Sequence, residues 1–146
     1  MTSTLRRPIV LAVLAGLFLL ASCSAQSART YDLVNQSRAA SGLPPLEYNT
    51  MLYAKAQAWA DRLAAQGYLQ HSNLADGNWS TTRTKLGENV AYGPSMEAVH
   101  DNLMRSAPHR ANILSADYNK VGTGVAYSPD GTVWVVQEFM HEWYVG

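Results

Sequence analysis

The sequence predicts a layered α+β domain, and three observations carry that prediction. Apolar residues at helical spacing occupy most of the chain between residues 30 and 114. Two segments rich in β-branched and aromatic residues follow, separated by Ser128-Pro129-Asp130-Gly131. The 146 residues are 47% hydrophobic and 15% charged, with eight Tyr and four Trp, which is enough apolar mass for one packed core and unlike a disordered chain. Length and composition fit one domain, and there is no internal repeat.

The chain opens with Arg6-Arg7 and an unbroken apolar run of 13 residues, Ile9 to Ala21. A membrane-spanning helix needs about 20 apolar residues, whereas the hydrophobic region of a signal peptide needs about 7 to 15. Residues 1–22 therefore read as a signal peptide. Its end, Leu20-Ala21-Ser22-Cys23, resembles the lipobox of bacterial lipoprotein precursors, in which cleavage precedes a cysteine that then carries lipid. The plainer alternative is an ordinary secretory signal that leaves Cys23 as a free thiol. Arg6-Arg7 fits twin-arginine export only weakly. As the only cysteine, Cys23 can form neither an intramolecular disulfide nor a cysteine-cluster zinc site. Two or three acyl chains on it would hold the protein durably at the outer face of the cell membrane.

Cleavage before Cys23 would leave 124 residues with 9 basic and 11 acidic side chains. That balance excludes an electrostatic nucleic-acid binder. Residues 23–29 read as the lipidated cysteine and a short polar tether, and residues 30–146 as the domain.

Tyr31, Leu33, Val34 and Ala39 suggest a short first helix that Ser41-Gly42 stops, and Pro44-Pro45 forces an extended connection. Asn49 offers an N-cap to a longer helix carrying Leu52, Ala56, Trp59 and Leu63 on one face, ended by Gly67. Between Gly67 and Gly87 no period is visible, so this stretch reads as a long loop, a length usually associated with function. Ser95 and Glu97 begin a third helix that runs toward Pro108, with Met96, Val99 and Leu103 inward and His100 toward solvent. His109 to Leu114 continues as a further turn or two. Val121–Tyr127 and Thr132–Met140 form a hairpin, with Gly131 free to take a positive φ. Val133-Trp134-Val135-Val136 is apolar on both faces, which implies a strand covered from both sides.

The chemistry-bearing residues are His71, Glu88, Ser106 and His109. His71-Ser72 follows the second helix, Gly87-Glu88-Asn89 closes the long loop, and Ser106-Ala107-Pro108-His109-Arg110 follows the third helix. Two imidazoles and a carboxylate could make a zinc site with an open position, but two His without a third firm ligand would bind metal weakly, and the residues alone favour hydrogen-bonded caps of a loop and a helix. Ser106 and His109 lie three apart, but Pro108 and the lack of a nucleophile elbow argue against a hydrolytic pair. His141-Glu142 reads as solvated. Trp79, Tyr92 and Tyr127 read as packing residues that could also line a cleft.

Taken together, these motifs resemble the CAP domain, the superfamily of cysteine-rich secretory proteins, antigen 5 and plant pathogenesis-related proteins, in its short bacterial form. Val34-Asn35-Gln36-Ser37-Arg38 with Gly42-Leu43-Pro44-Pro45-Leu46, then Ala54 and Ala58-Trp59-Ala60, then the His71, Glu88 and His109 motifs, then Val121-Gly122-Thr123-Gly124-Val125-Ala126, stand in family order. The resemblance implies a three-layer αβα sandwich with one cleft. It implies zinc or another divalent cation on His71 and His109, with Glu88 as the first acid. The second acid is expected where this chain has Ser106, so the acid pair is incomplete. Asn89 and Arg110 match positions that tie the motif loops to the core. Three functions are compatible: a metal-tuned cleft for a small-molecule or lipid ligand, a metal-dependent hydrolase or peptidase with Glu88 as catalytic candidate, and a non-catalytic envelope or host-interaction protein.

Overall fold

In a computed structural model, residues 25–76 and 83–143 are described. The segment read as a signal peptide, Cys23 and Trp79 lie outside them. The chain is helical from residue 25 to 40 (α1), followed by β1 (Glu47–Tyr48), α2 (Thr50–Gln66), β2 (Arg83–Gly93), α3 (Met96–Arg105), α4 (Ala107–Ile113), β3 (Lys120–Tyr127) and β4 (Val133–Glu142).

The four strands form one sheet in the order β1-β3-β4-β2. β1 runs parallel to β3, and the β3–β4 and β4–β2 pairs are antiparallel. Two apolar clusters lie on its two faces. Ala56, Ala60 and Leu63 of α2 pack with Val90, Ala126, Trp134 and Val136 on one side. On the other, Val34 of α1, Val99 and Leu103 of α3 and Ile113 of α4 pack with Val121, Val125, Val135 and Phe139. The domain is thus an αβα sandwich, and β4 is buried from Val133 through Met140, as its apolar run predicts.

Local chemistry sets the boundaries. The Asn49 side chain accepts from the backbone N–H groups of Met51 and Leu52, and Gly67 ends α2 at φ 76°. Ser95 caps α3 through Ala98 N–H. Ser106 stands between α3 and α4, with Pro108 in the first turn of α4, where its missing N–H costs nothing. The hairpin turn has Gly131 at φ 85° and Asp130 accepting from Thr132 N–H at 3.0 Å.

α2 lies very close to the sheet. A Cβ on Gly122 would fall 2.1 Å from Tyr53 N, and one on Gly124 would fall 2.3 Å from the Ala56 carbonyl carbon. Only glycine at both positions allows this approach.

Three expectations are corrected. Residues 25–29 are helical and belong to the domain: Ser27, Thr30, Val34 and Arg38 form the buried stripe of α1, and polar side chains at the first two disguise its period. Ser27 O accepts from Thr123 Oγ1 at 2.7 Å, and the Arg38 guanidinium is buried against the carbonyls of Pro44, Ile113 and Ser115. The stretch read as a loop to Gly87 is shorter, because β2 begins at Arg83; Gly87-Glu88-Asn89 lies mid-strand, paired with Phe139, Glu138 and Gln137. Buried polar residues break the alternation that would have revealed the strand. Finally, His100 is 5% exposed, not solvent-facing: its Nε2 lies 2.7 Å from Ser37 Oγ, which joins α3 to α1.

Candidate functional site

β2 is an edge strand, and its successive side chains point to opposite faces. Glu88 points to the α2 side and Asn89 to the side of α3 and α4. Each therefore reaches the motif that approaches from its own layer.

On the α2 side, Glu88 is 5% exposed as a residue. His71 Nδ1 lies 2.6 Å from Glu88 Oε1, and Ser72 N–H donates to Oε1 and Oε2 at 2.9 and 3.3 Å. A carboxylate only accepts, so Nδ1 carries the proton of this contact, and in the neutral ring Nε2 then keeps its lone pair. The His71 side chain is 63% exposed over a carboxylate that is almost entirely covered.

On the other side, Asn89 Nδ2 donates to the His109 carbonyl at 3.1 Å and to Gln137 Oε1 at 3.0 Å, and Asn89 Oδ1 accepts from Asn112 at 2.9 Å. Asn112 also donates to the Glu88 carbonyl at 3.3 Å, fastening α4 to β2. His109 Nδ1 lies 2.9 Å from Ser106 Oγ, so the residue standing where an acid was expected orients this imidazole. Arg110 is exposed and reaches only the Met104 carbonyl, at 3.3 Å, joining α4 to the end of α3.

The two histidines, 38 positions apart in sequence, approach β2 from its two faces, and His71 is near enough to act electrostatically on His109. Burial lowers the His109 pKa, and the neighbouring His71 lowers it further. Both rings use Nδ1 for an oxygen partner, leaving Nε2 on each for a ligand. Among the described residues, no three His, Cys, Asp or Glu groups are placed to hold a metal ion. The protein's contribution would be two imidazoles, one fewer than the three protein ligands usual at an open zinc site.

The structure adds two residues that sequence reasoning missed. Glu138 of β4 stands directly opposite Glu88 and is 1% exposed. Its Oε1 accepts from Lys55 Nζ at 2.5 Å and from Ser72 Oγ at 3.2 Å, while Lys55 also donates to Ser72 Oγ at 2.6 Å. Burial pushes the Glu138 carboxyl up to about 7 against the pull of Lys55, and the Glu88 carboxylate beside it adds to the rise. A charged residue inside a doubly covered strand was the available signal, since such a group must find a partner.

The remaining candidates fall elsewhere. Tyr92 packs against Trp134 with ring centroids 4.9 Å apart and planes tilted by 33°, near the hairpin turn, and Tyr127 is exposed at the end of β3. His141, near the end of β4, pairs through Nδ1 with the Asp117 carbonyl at the other end of the sheet.

This architecture is an αβα sandwich whose edge strand β2 holds a histidine motif from each outer layer. The family model of the cysteine-rich secretory protein family, CAP, matches residues 31–139, and the chain belongs to that family. Uncharacterized protein YkwD of Bacillus subtilis (strain 168) is 29% identical over 124 residues, 80% of this chain and 48% of YkwD. The chain thus spans about half the length of that curated relative. Among solved structures, an extracellular protein containing an SCP domain from Bacillus anthracis str. Ames superposes with a TM-score of 0.70 at 20% identity, over 82% of this chain and 41% of that one. NaASP2, solved with Zn2+, superposes with a TM-score of 0.60 at 13% identity, over 80% of each chain. These likenesses are of fold.

Proposed function

We propose that the chain is an exported CAP-domain lipoprotein of the bacterial cell envelope, anchored through Cys23, whose cleft binds a divalent cation, zinc first among candidates, through His71 and His109. The observation that carries the cation reading is that the two rings use their nitrogens alike. Each has Nδ1 engaged by an oxygen and Nε2 left over, as metal-binding histidines do when an outer partner fixes their tautomer. NaASP2, a structural neighbour with zinc in its crystal, supports the choice of metal. When bound, such a cation acts as a Lewis acid on whatever oxygen fills its open positions.

With two protein donors, those positions go to water or to a small or lipidic ligand, so the cleft is read as a binding site. A metal-dependent hydrolase is the second reading, and the buried carboxyls favour it. Glu88 already accepts at both oxygens, however, which leaves it poorly placed to take a proton from water. Under that reading, Glu88→Gln would abolish a rate that the parent shows; under ours, the parent shows none.

Competition for zinc against a chromophoric chelator tests the reading. The parent should withdraw zinc from the dye, and His71→Ala should lose at least tenfold in affinity. Equal competition by both proteins would contradict it. The anchor is tested separately: the parent should partition into detergent and Cys23→Ala into the aqueous phase, and equal partitioning would refute lipidation.

A further inference from the structure

A cross-strand acid pair is an unusual thing to place inside a sandwich. Glu88 and Glu138 are register partners on β2 and β4, both nearly inaccessible, and like charges directly opposite one another weaken a sheet. Trp134, Val136 and Met140 flank Glu138 at alternate positions of β4, all buried, so an apolar residue would suit the packing at 138. Replacing a buried ion pair by apolar residues is often neutral or stabilising, which makes Lys55–Glu138 a poor device for stability alone.

The hydrogen bonds give the pair another role. Lys55 reaches from α2 to Glu138 Oε1, and both grip the Ser72 hydroxyl, as donor and acceptor respectively. Ser72 N–H in turn holds Glu88, and Glu88 holds His71 Nδ1. His71 itself is largely exposed and sits on a loop, and among the described residues Glu88 is the one hydrogen-bond partner of its ring.

We propose that Glu138 is a positioning residue of the cleft: with Lys55 it anchors Ser72 and, through Ser72 and Glu88, locks the orientation and tautomer of His71. An acid from β4 thereby serves the site that α3 leaves without one at Ser106. The purpose of the lock, presenting Nε2 to a cation, rests on the cation reading above.

The test uses the full-length protein in mild detergent, with three variants. Glu138→Gln keeps an acceptor for Lys55 and Ser72. Glu138→Leu removes it. Lys55→Met/Glu138→Leu removes both charges and keeps the volume, which guards against failure to fold. Two quantities are read: the long-range 1H–15N signature of the His71 ring without metal, and zinc affinity by calorimetry. The parent and Glu138→Gln should show a single Nδ1–H tautomer, and the two Leu variants a tautomer mixture. Zinc affinity should fall 10- to 100-fold in the Leu variants and stay within about threefold in Glu138→Gln, the range typical of outer-sphere partners. A folded double variant with an unchanged tautomer and unchanged affinity would overturn the proposal. If the parent gives flat zinc heats while the Leu variants still lose the tautomer, the cation reading falls and the positioning role stands.

Discussion

Glu88 and Asn89 are consecutive residues of one edge strand, and each holds one of the two histidine motifs. Glu88 accepts from the His71 ring at 2.6 Å on the α2 side, and Asn89 donates to the His109 carbonyl at 3.1 Å on the α4 side. The two-residue period of a strand is what divides the work, since neighbours must face opposite layers. Asn89→Ala should therefore act on both fold and site. It leaves Gln137 and Asn112 without their shared partner, and of the hydrogen bonds between β2 and α4 only that from Asn112 to the Glu88 carbonyl remains. We expect a loss of about 2 to 3 kcal/mol in urea unfolding, from buried polar groups left unpaired. Asn89→Ala should also weaken zinc binding although it touches neither imidazole.

The closeness of α2 to the sheet gives a sharp contrast between glycines. Gly124→Ala drives a methyl into the α2 backbone, with no flexible side chain to move aside, and should cost about 3 kcal/mol or more. Gly131→Ala meets nothing within 4 Å and pays only for its positive φ, about 1 to 2 kcal/mol. Thermal unfolding of the two variants should rank them in that order.

Stability should respond to pH through two opposing groups. Burial holds His100 below the ordinary histidine range. The unfolded chain takes up this proton near pH 6.5 and the folded chain only at lower pH, so the parent loses stability as pH falls below about 6.5. Glu138 has the opposite sign. Its folded carboxyl titrates at about 7 against 4.5 when free, so its contribution is complete below about 4.5 and is lost as pH rises through 7. Relative to the parent, His100→Gln should gain stability on going from pH 7.5 to 5, and Glu138→Gln on going from pH 5 to 7.5. Urea midpoints across that range measure both differences.

Much of this architecture is legible in the sequence because its helices carry ordinary signals: the Asn49 and Ser95 caps, Gly67, and the Leu52-Ala56-Leu63 face all stand where the residues place them. The hairpin is equally plain from Pro129 to Gly131. What hid was written in polar residues. Ser27 and Thr30 line the inner face of α1, and Glu88 and Asn89 fill the middle of β2, so neither element shows an apolar period. His100 escaped because one hydroxyl, Ser37 Oγ, is enough to bury an imidazole. Glu138 escaped because its meaning lies in the register of β4 against β2, and a single strand's sequence does not contain that pairing.

The central claim is that His71 and His109 form one cation site, and calorimetric titration of zinc tests it most directly. Run on the purified parent and on His71→Ala/His109→Ala at neutral pH, it should give saturable one-site binding in the micromolar range for the parent and no heat above dilution for the double variant. Flat heats in the parent, or binding that survives in a folded double variant, would contradict the account.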